Sequence, residues 1–275
     1  MRDPVQVLRP ALAARYEIER EIASGEAATV YLARDLRHDR PVALKVLRAT
    51  SNTPTIDEAR FAREIKLLAR LQHPFILPLH DSGHVEDVLY YVAPYVTGES
   101  LRQKLDRERK LRLEDALRIA RETADALDCA HRSGVIHRDI KPENILLSGG
   151  HPILADFGIA RALDAFRGPR LTNPGEGAFG AGAYLSPEQL RGDREPDGRT
   201  DVFSLGCVLY EMLTGTSAFG GRGGLARRFG TPPRVKAKRA EVPDAIDDAV
   251  ARAMAREPEE RFPTVREFGR ALGSA

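Results

Sequence analysis

Cysteine, net charge and long apolar runs are all scarce in this 275-residue chain. Its two cysteines, Cys129 and Cys207, are too few for a disulfide framework or a four-thiolate zinc site, and they point to a reducing compartment. His38, His73, His80, His84, His131 and His151 show no metal-ligand spacing with either of them. Lysine and arginine number 42 against 40 acidic residues, so no global field marks a binder of nucleic acid or other polyanions. No run approaches the ~18 apolar residues of a membrane-spanning helix. Met1 to Ala14 lack the apolar centre of a secretory signal. The expectation is a chain without a membrane segment, working in the cytoplasm. Apolar residues make up 42%, enough to exclude general disorder and to fill one large domain or two modest lobes.

The two halves of the chain read differently. From Tyr16 to about Tyr95 short strands dominate. Val30-Tyr31-Leu32-Ala33 and the run Val42 to Leu47 flank the polar turn Asp35–Arg40, a pattern for antiparallel pairing. Phe61, Ile65, Leu68 and Leu71 then recur at helical spacing up to Pro74, and Leu89-Tyr90-Tyr91-Val92 resumes strand character. After Gly98 helices take over. Leu113, Ala116, Leu117, Ala120, Ala124 and Leu127 form one helix face, closed by Gly134. Val202 to Leu213 is apolar almost throughout, with Thr200 or Asp201 as its expected N-cap and Gly215 past its end, which reads as a buried helix. No internal repeat of 20–50 residues appears. The expected fold is α+β: an N-terminal extension over 1–15, a small antiparallel lobe with one main helix over 16–94, a hinge at 95–98, and a larger, mostly helical lobe over 99–275. A junction of that kind favours a ligand site.

The chemistry concentrates in His137-Arg138-Asp139-Ile140-Lys141-Pro142-Glu143-Asn144, followed twelve residues later by Asp156-Phe157-Gly158. Two unrelated acidic turns would not produce this string. It resembles the catalytic loop and metal-binding motif of eukaryotic-type protein kinases, with matches from Tyr16 to Phe262. The wording of Tyr31–Asp35, Val42–Lys45 and Ser186–Gln189 is similar to the bacterial serine/threonine kinases of that family. The resemblance implies a bilobal kinase fold, ATP and Mg²⁺ as cofactors, and transfer of the γ-phosphoryl group to serine or threonine hydroxyls of protein substrates. Phosphoryl transfer needs charge neutralisation and in-line positioning more than covalent help. Asp139 would accept the proton of the incoming hydroxyl, and Lys141 would offset the charge of the transferred group. Asn144 and Asp156 supply the hard oxygen ligands that suit Mg²⁺.

The nucleotide contacts that the resemblance implies are Ile22, Gly25, Val30, Ala43, Lys45, Glu64, Ala93, Pro94, Val96, Glu99 and Leu146. Lys45 lies on an apolar strand, where a charge is costly unless paired; Glu64, beside Ile65 on the helix, is its expected partner. The glycine-rich phosphate loop falls on Ala23-Ser24-Gly25-Glu26-Ala27-Ala28-Thr29-Val30 and keeps one of three glycines, so nucleotide binding is expected to be retained but weaker. Ala93 occupies the position that gates the cavity behind adenine and predicts a deep pocket. Pro94 offers adenine its carbonyl, Val96 offers its backbone, and Glu99 reaches the ribose.

The stretch from Asp156 to Glu188 resembles an activation segment ending in Tyr184-Leu185-Ser186-Pro187-Glu188. Thr172 carries the only hydroxyl between Ile159 and Ala183, which makes it the candidate phosphosite, with Arg138 as its basic partner and self-phosphorylation through transient dimers as the route. Asp201 would hold the catalytic-loop backbone, Gly206 continues the family spacing, and Arg261 would pair with Glu188. The acid-free stretch from Met212 to Ala240 carries Arg222, Arg227, Arg228, Arg234, Lys236, Lys238 and Arg239. It reads as solvated surface, with 222–239 a candidate dock for an acidic partner. Ala23, Ala28 and Ala181 favour an alternative reading, a pseudokinase or scaffold module with little transfer activity. The intact set Lys45, Glu64, Asp139, Lys141, Asn144 and Asp156 favours the enzyme. A small-molecule kinase fits poorly with Ser186-Pro187-Glu188 and Arg261.

Relatives usually have Gly-Thr where this chain has Gly180-Ala181, and the missing hydroxyl normally bridges the catalytic aspartate and lysine. A hydrogen bond to charged groups contributes ~1.5–3 kcal/mol, about one to two decades in rate when made only in the transition state. Ala181→Thr is therefore expected to raise kcat; a steady-state assay giving an unchanged or lower kcat refutes this account.

Overall fold

The computed structural model describes residues 4–25, 28–47, 58–86, 88–157, 181–193, 196–219 and 230–273. Its N-terminal half is built on a five-stranded antiparallel sheet: β1 (Tyr16–Ser24), β2 (Ala28–Asp35), β3 (Arg40–Leu47), β4 (Asp81–Val85) and β5 (Val88–Pro94), in the order β1-β2-β3-β5-β4. The polar turn expected at Asp35–Arg40 closes the β2–β3 hairpin, with Asp35 opposite Arg40. Buried Asp35 pins that turn by accepting from the backbone of Arg37 and His38 and from the His38 ring.

Strand alternation divides this sheet into two apolar faces. Val42, Leu44 and Val46 of β3 join Tyr16, Ile18, Tyr31, Ala33 and Val92 on one. This face is covered by α1 (Pro4–Leu12), whose Val5, Leu8 and Leu12 are buried in the same cluster. Residues 1–15, read from sequence as an extension, thus include an integral layer of the small unit. The spacing 5, 8, 12 is helical, but the segment is short and holds Pro10. Arg9 ties the helix down by donating to the Ile18 carbonyl at 2.6 Å. On the opposite face Ala28, Leu47, Leu89 and Tyr91 pack with Phe61 and Ile65 of α2 (Glu58–Leu68). The predicted stripe is present, although the helix ends at Leu68 and buried Leu71 lies beyond it.

The helical half contains β6 (Glu99–Ser100), α3 (Leu101–Glu108), α4 (Leu113–Arg132), β7 (Ile145–Ser148), β8 (His151–Leu154), α5 (Pro187–Arg191), α6 (Arg199–Thr214), α7 (Asp244–Ala253) and α8 (Val265–Ala271). Strands β6, β7 and β8 form a small antiparallel sheet. Gly98 opens this half, and a Cβ there would lie 2.0 Å from the Leu147 carbonyl oxygen, so only glycine fits. Every residue of α6 from Thr200 to Leu213 is buried, as its apolar run predicts. Gly206 lets it approach α7 closely: a Cβ would sit 3.0 Å from that of Ala253. The expected N-cap is corrected. Gly198 caps α6 without a side-chain bond, and Asp201 lies inside the first turn with its carboxylate engaged elsewhere.

The described chain groups into two units, one with 4–72 and 77–97, the other with 73–76 and the residues from 98 onward. Residues 73–76, placed by sequence in the small lobe, belong to the helical unit: Leu154 N–H donates to the Phe75 carbonyl, and Ile76 bridges Leu154 in parallel. A fully buried Leu→Ala change costs about 2–5 kcal/mol. Leu8→Ala is therefore expected to lower unfolding free energy by that amount in urea titration at unchanged m; a change below about 0.5 kcal/mol would mean α1 is only an appendage.

Candidate active site

The segment between Val135 and Lys141 belongs to neither helix nor strand, so its backbone groups need partners from elsewhere. Asp201 provides them. Its carboxylate accepts from His137 N–H (2.9 Å) and Arg138 N–H (2.8 Å), and from His131 Nε2 (2.8 Å). A carboxylate only accepts, so His131 carries its proton on Nε2. Burial works against the charge on Asp201, yet the hydrogen bonds that it accepts, first that from His131 and then that from the His137 backbone, outweigh it and hold the pKa below the ordinary range. The sequence-level expectation that Asp201 holds the loop is met.

The His137 ring, fully buried, is fixed as well. Asp139 N–H donates to its Nδ1 at 3.3 Å, so Nε2 carries the proton and donates to the Ala155 carbonyl at 2.9 Å. That ring also packs on buried Phe157, with centroids 4.6 Å apart. The loop is thereby tied to the Asp156-Phe157 motif. Ala155 N–H adds a bond to the Asn144 carbonyl at 2.9 Å.

Within this frame Lys141 Nζ donates to Asp139 Oδ2 at 2.7 Å, and Asn144 Nδ2 donates to the same oxygen at 3.1 Å and to the Asp139 carbonyl at 2.8 Å. One carboxylate oxygen is pinned, and among the described residues Oδ1 takes no hydrogen bond. Because Asn144 uses its amide nitrogen inward, its Oδ1 is left as a hard donor. Asp156, the other expected oxygen ligand, follows buried Ala155 with a backbone φ of +66°. Among the described residues no three His, Cys, Asp or Glu groups converge as a metal cage. Two oxygen-bearing side chains suit Mg²⁺, which retains water and phosphate ligands.

Of the expected nucleotide residues of the small unit, Ile22, Val30, Ala43, Lys45, Ala93 and Pro94 lie on its sheet, while Gly25 and Val96 lie just past strand ends and Glu64 is on α2. Val30 is opposite Lys45, and Ala43 is opposite Ala93, so these four share one face. Ile22, Val30, Ala43, Lys45, Pro94 and Val96 are half-buried, whereas Ala93 is buried. Lys45 Nζ stands 5.8 Å from the ring centroid of Tyr91, its cross-strand neighbour. Gly25 N–H donates to the Ala28 carbonyl at the mouth of the hairpin. The side chain of Glu64 lies outside the described residues, as do Glu26, Ala27, Gly158, Thr172 and the side chain of Ala181. In the helical unit Leu146 sits on β7 opposite Ser100. Both Glu99 oxygens are taken by Arg107, Oε1 at 2.8 Å from Nη2.

His131 and Glu211 gave no sequence signal for the bonds they make, and His137, Tyr184 and Gln189 stand in the motifs without a stated role; buried Tyr184 donates to Glu211, to which Arg102 adds a bond of 2.9 Å. Each matters only through a partner far along the chain. The basic stretch is largely self-satisfied where described. Arg234 pairs with Asp247 and Asp248, Lys236 with Asp244, Arg239 with Glu241, and Lys238 donates to Thr216. Arg222, Arg227 and Arg228 lie outside the described residues.

Comparison with known proteins matches residues 16–262 to the family model described as protein kinase domain. Serine/threonine-protein kinase PknB of Mycolicibacterium smegmatis is 39% identical over 268 residues, covering 94% of this chain and 42% of the relative. PknJ of Mycobacterium bovis is 40% identical, covering 95% of this chain and 45% of the relative. The chain thus spans less than half the length of these curated relatives. Among solved structures, the Mycobacterium tuberculosis PknI kinase domain superposes with a TM-score of 0.74 at 30% identity, covering 94% of this chain and 95% of that one.

Arg261 joins Glu188 through bonds of 2.7 and 2.8 Å, and Thr200 donates to the same carboxylate at 2.8 Å. Burial alone would raise the Glu188 pKa, but Arg261 outweighs it and holds the group below its ordinary value. The stabilisation is thus present above the unfolded glutamate value near 4.5 and lost as pH falls through the lower folded one. Glu188→Gln leaves a buried guanidinium unpaired and is expected to cost about 3–5 kcal/mol near neutrality. In unfolding titrations across pH that gap should narrow below about pH 4.5; a gap constant down to acid would contradict the assignment.

Proposed function

The chain belongs to the protein kinase family, and we propose that this domain catalyses ATP- and Mg²⁺-dependent transfer of the γ-phosphoryl group to serine or threonine hydroxyls of cytoplasmic proteins. The observation that carries this reading is the state of Asp139: one oxygen pinned by Lys141 and Asn144, the other turned to no protein donor among the described residues. Such a carboxylate accepts the proton of an incoming hydroxyl as the oxygen attacks phosphorus, with its orientation already fixed. Lys141, held at 2.7 Å from Asp139, keeps a positive charge beside the proton acceptor and the phosphoryl group in flight. Mg²⁺, when bound by Asn144 and Asp156, supplies neutralisation of the phosphate charge. Lys45 serves the remaining phosphates from the sheet, on a face whose Ala43 and Ala93 leave room for an adenine ring. Glu99 meets the ribose only by sharing or releasing Arg107.

Substrate hydroxyls arrive on protein chains in this reading, since Tyr184, Ser186 and Glu188 build the shelf that the family uses for them. Thr172 is the proposed site of self-phosphorylation, and an acidic partner at 222–239 would rely on Arg222, Arg227 and Arg228, because the other basic groups there already hold intrachain partners.

The decisive measurement is a mass-shift assay with ATP, Mg²⁺ and a generic basic protein, run beside Asp139→Asn. Loss of the proton acceptor is expected to lower kcat by ~10²–10⁴-fold with folding unchanged. Nucleotide binding without transfer in the unaltered protein would overturn the proposal in favour of a scaffold, and equal transfer in both proteins would remove Asp139 from the mechanism.

A further inference from the structure

Arg138 immediately precedes Asp139 and has a backbone φ of +69°, a left-handed conformation that strains a non-glycine residue. Such strain persists where the surroundings over-determine it. Both polar groups of Arg138's backbone are held by side chains from the later part of the chain. Its N–H donates to Asp201 Oδ1 at 2.8 Å. Its carbonyl accepts a 2.7 Å bond from Nε2 of Gln189, 51 residues away.

Gln189 is itself held. Its Oε1 accepts from Ser186 N–H at 3.0 Å and lies 3.2 Å from Ser186 Oγ, within the capping box that starts α5. One amide therefore serves two masters: the donor end fixes the catalytic loop and the acceptor end fixes the start of α5. We propose that Gln189 is a positioning residue for phosphoryl transfer, locking the peptide that precedes Asp139 to the helix that follows Tyr184. This inference rests on the kinase reading above. It makes the orientation of the base depend on α5 being correctly formed, through a bond that neither Asp201 nor Lys141 can replace.

The chemistry selects glutamine. An ionised glutamate of the same length has only acceptors and would face the Arg138 carbonyl with like polarity. A protonated glutamate recovers one donor while its other oxygen still serves Ser186. Methionine keeps the length and loses both bonds. Asparagine keeps the amide but falls one methylene short.

The test compares wild type, Gln189→Glu and Gln189→Met in the full chain, with kcat and KM for ATP and a generic basic protein measured between about pH 5.5 and pH 8. Gln189→Met is expected to lower kcat about tenfold at every pH, the loss of one anchoring hydrogen bond, with KM within about twofold. Gln189→Glu should match that loss at pH 8 and recover in part towards pH 5.5, because the half-buried site and the facing Arg138 carbonyl oppose its charge and raise its pKa above the ordinary value of about 4.3. A Gln189→Met kcat within twofold of wild type, or a Gln189→Glu to wild-type ratio flat across the pH range, overturns the proposal. Should Gln189→Met fail to fold, Gln189→Asn replaces it with the same expectation. Amide exchange over residues 136–140 reads the anchor without any transfer. Faster exchange in the variants supports the anchor and unchanged exchange overturns it, even if an inactive wild type were to sink the kinase reading itself.

Discussion

A single buried carboxylate holds the rest in place. Asp201 has no solvent exposure, and a charge so placed is tolerable only when its oxygens are fully engaged. Here the donors are the backbone N–H groups of His137 and Arg138 and one imidazole N–H. The dependence runs both ways. The loop has no helix or strand of its own to satisfy those N–H groups, and the carboxylate is shut away from solvent. Each therefore enforces the other, and the position of Asp139 follows.

That arrangement needs a rigid source for Asp201, and α6 supplies it. Its burial from Thr200 to Leu213 fixes its place against α4 and α7, while its first turn is stitched to Glu188 through Thr200 and to Arg261 through the Arg199 carbonyl at 3.0 Å. The buried Glu188–Arg261 pair differs in kind from exposed pairs such as Arg34–Asp39 or Lys104–Glu108. Exposed pairs are screened by water and contribute little. The buried one fixes where α5 and α6 begin, because breaking it strands a charge. Asp139, the loop around it and the start of α5 are thus supported by one connected set of buried polar groups.

Some of this is legible in the residues alone. The β2–β3 hairpin follows from its two apolar runs around Asp35–Arg40, and burial of α6 follows from an apolar sequence on every side. Asp139, Lys141 and Asn144 meet because they are only five residues apart and share one turn. Other elements were not legible. Val5, Leu8 and Leu12 look like a weak helical pattern until a sheet with an uncovered apolar face stands beside them. Residues 73–76 read as the tail of the small lobe because nothing local reveals their bond to Leu154. Asp201 reads locally as an N-cap because capping is the commonest local use of an aspartate near a helix start, and a partner 64 residues away has no local signature.

By itself the amino-acid sequence determined whatever depends on neighbours in the chain: strand and helix periods, the turn chemistry, and the spacing that lets Asp139, Lys141 and Asn144 face one another. The tertiary structure decided which hydrogen-bond donors those groups finally use, which tautomers His131 and His137 adopt, and why Arg138 can hold a left-handed backbone. The physical reason is range. Periodicity and capping act within a few bonds, whereas satisfying a buried polar atom requires a particular partner brought from any distance by packing that no short segment encodes.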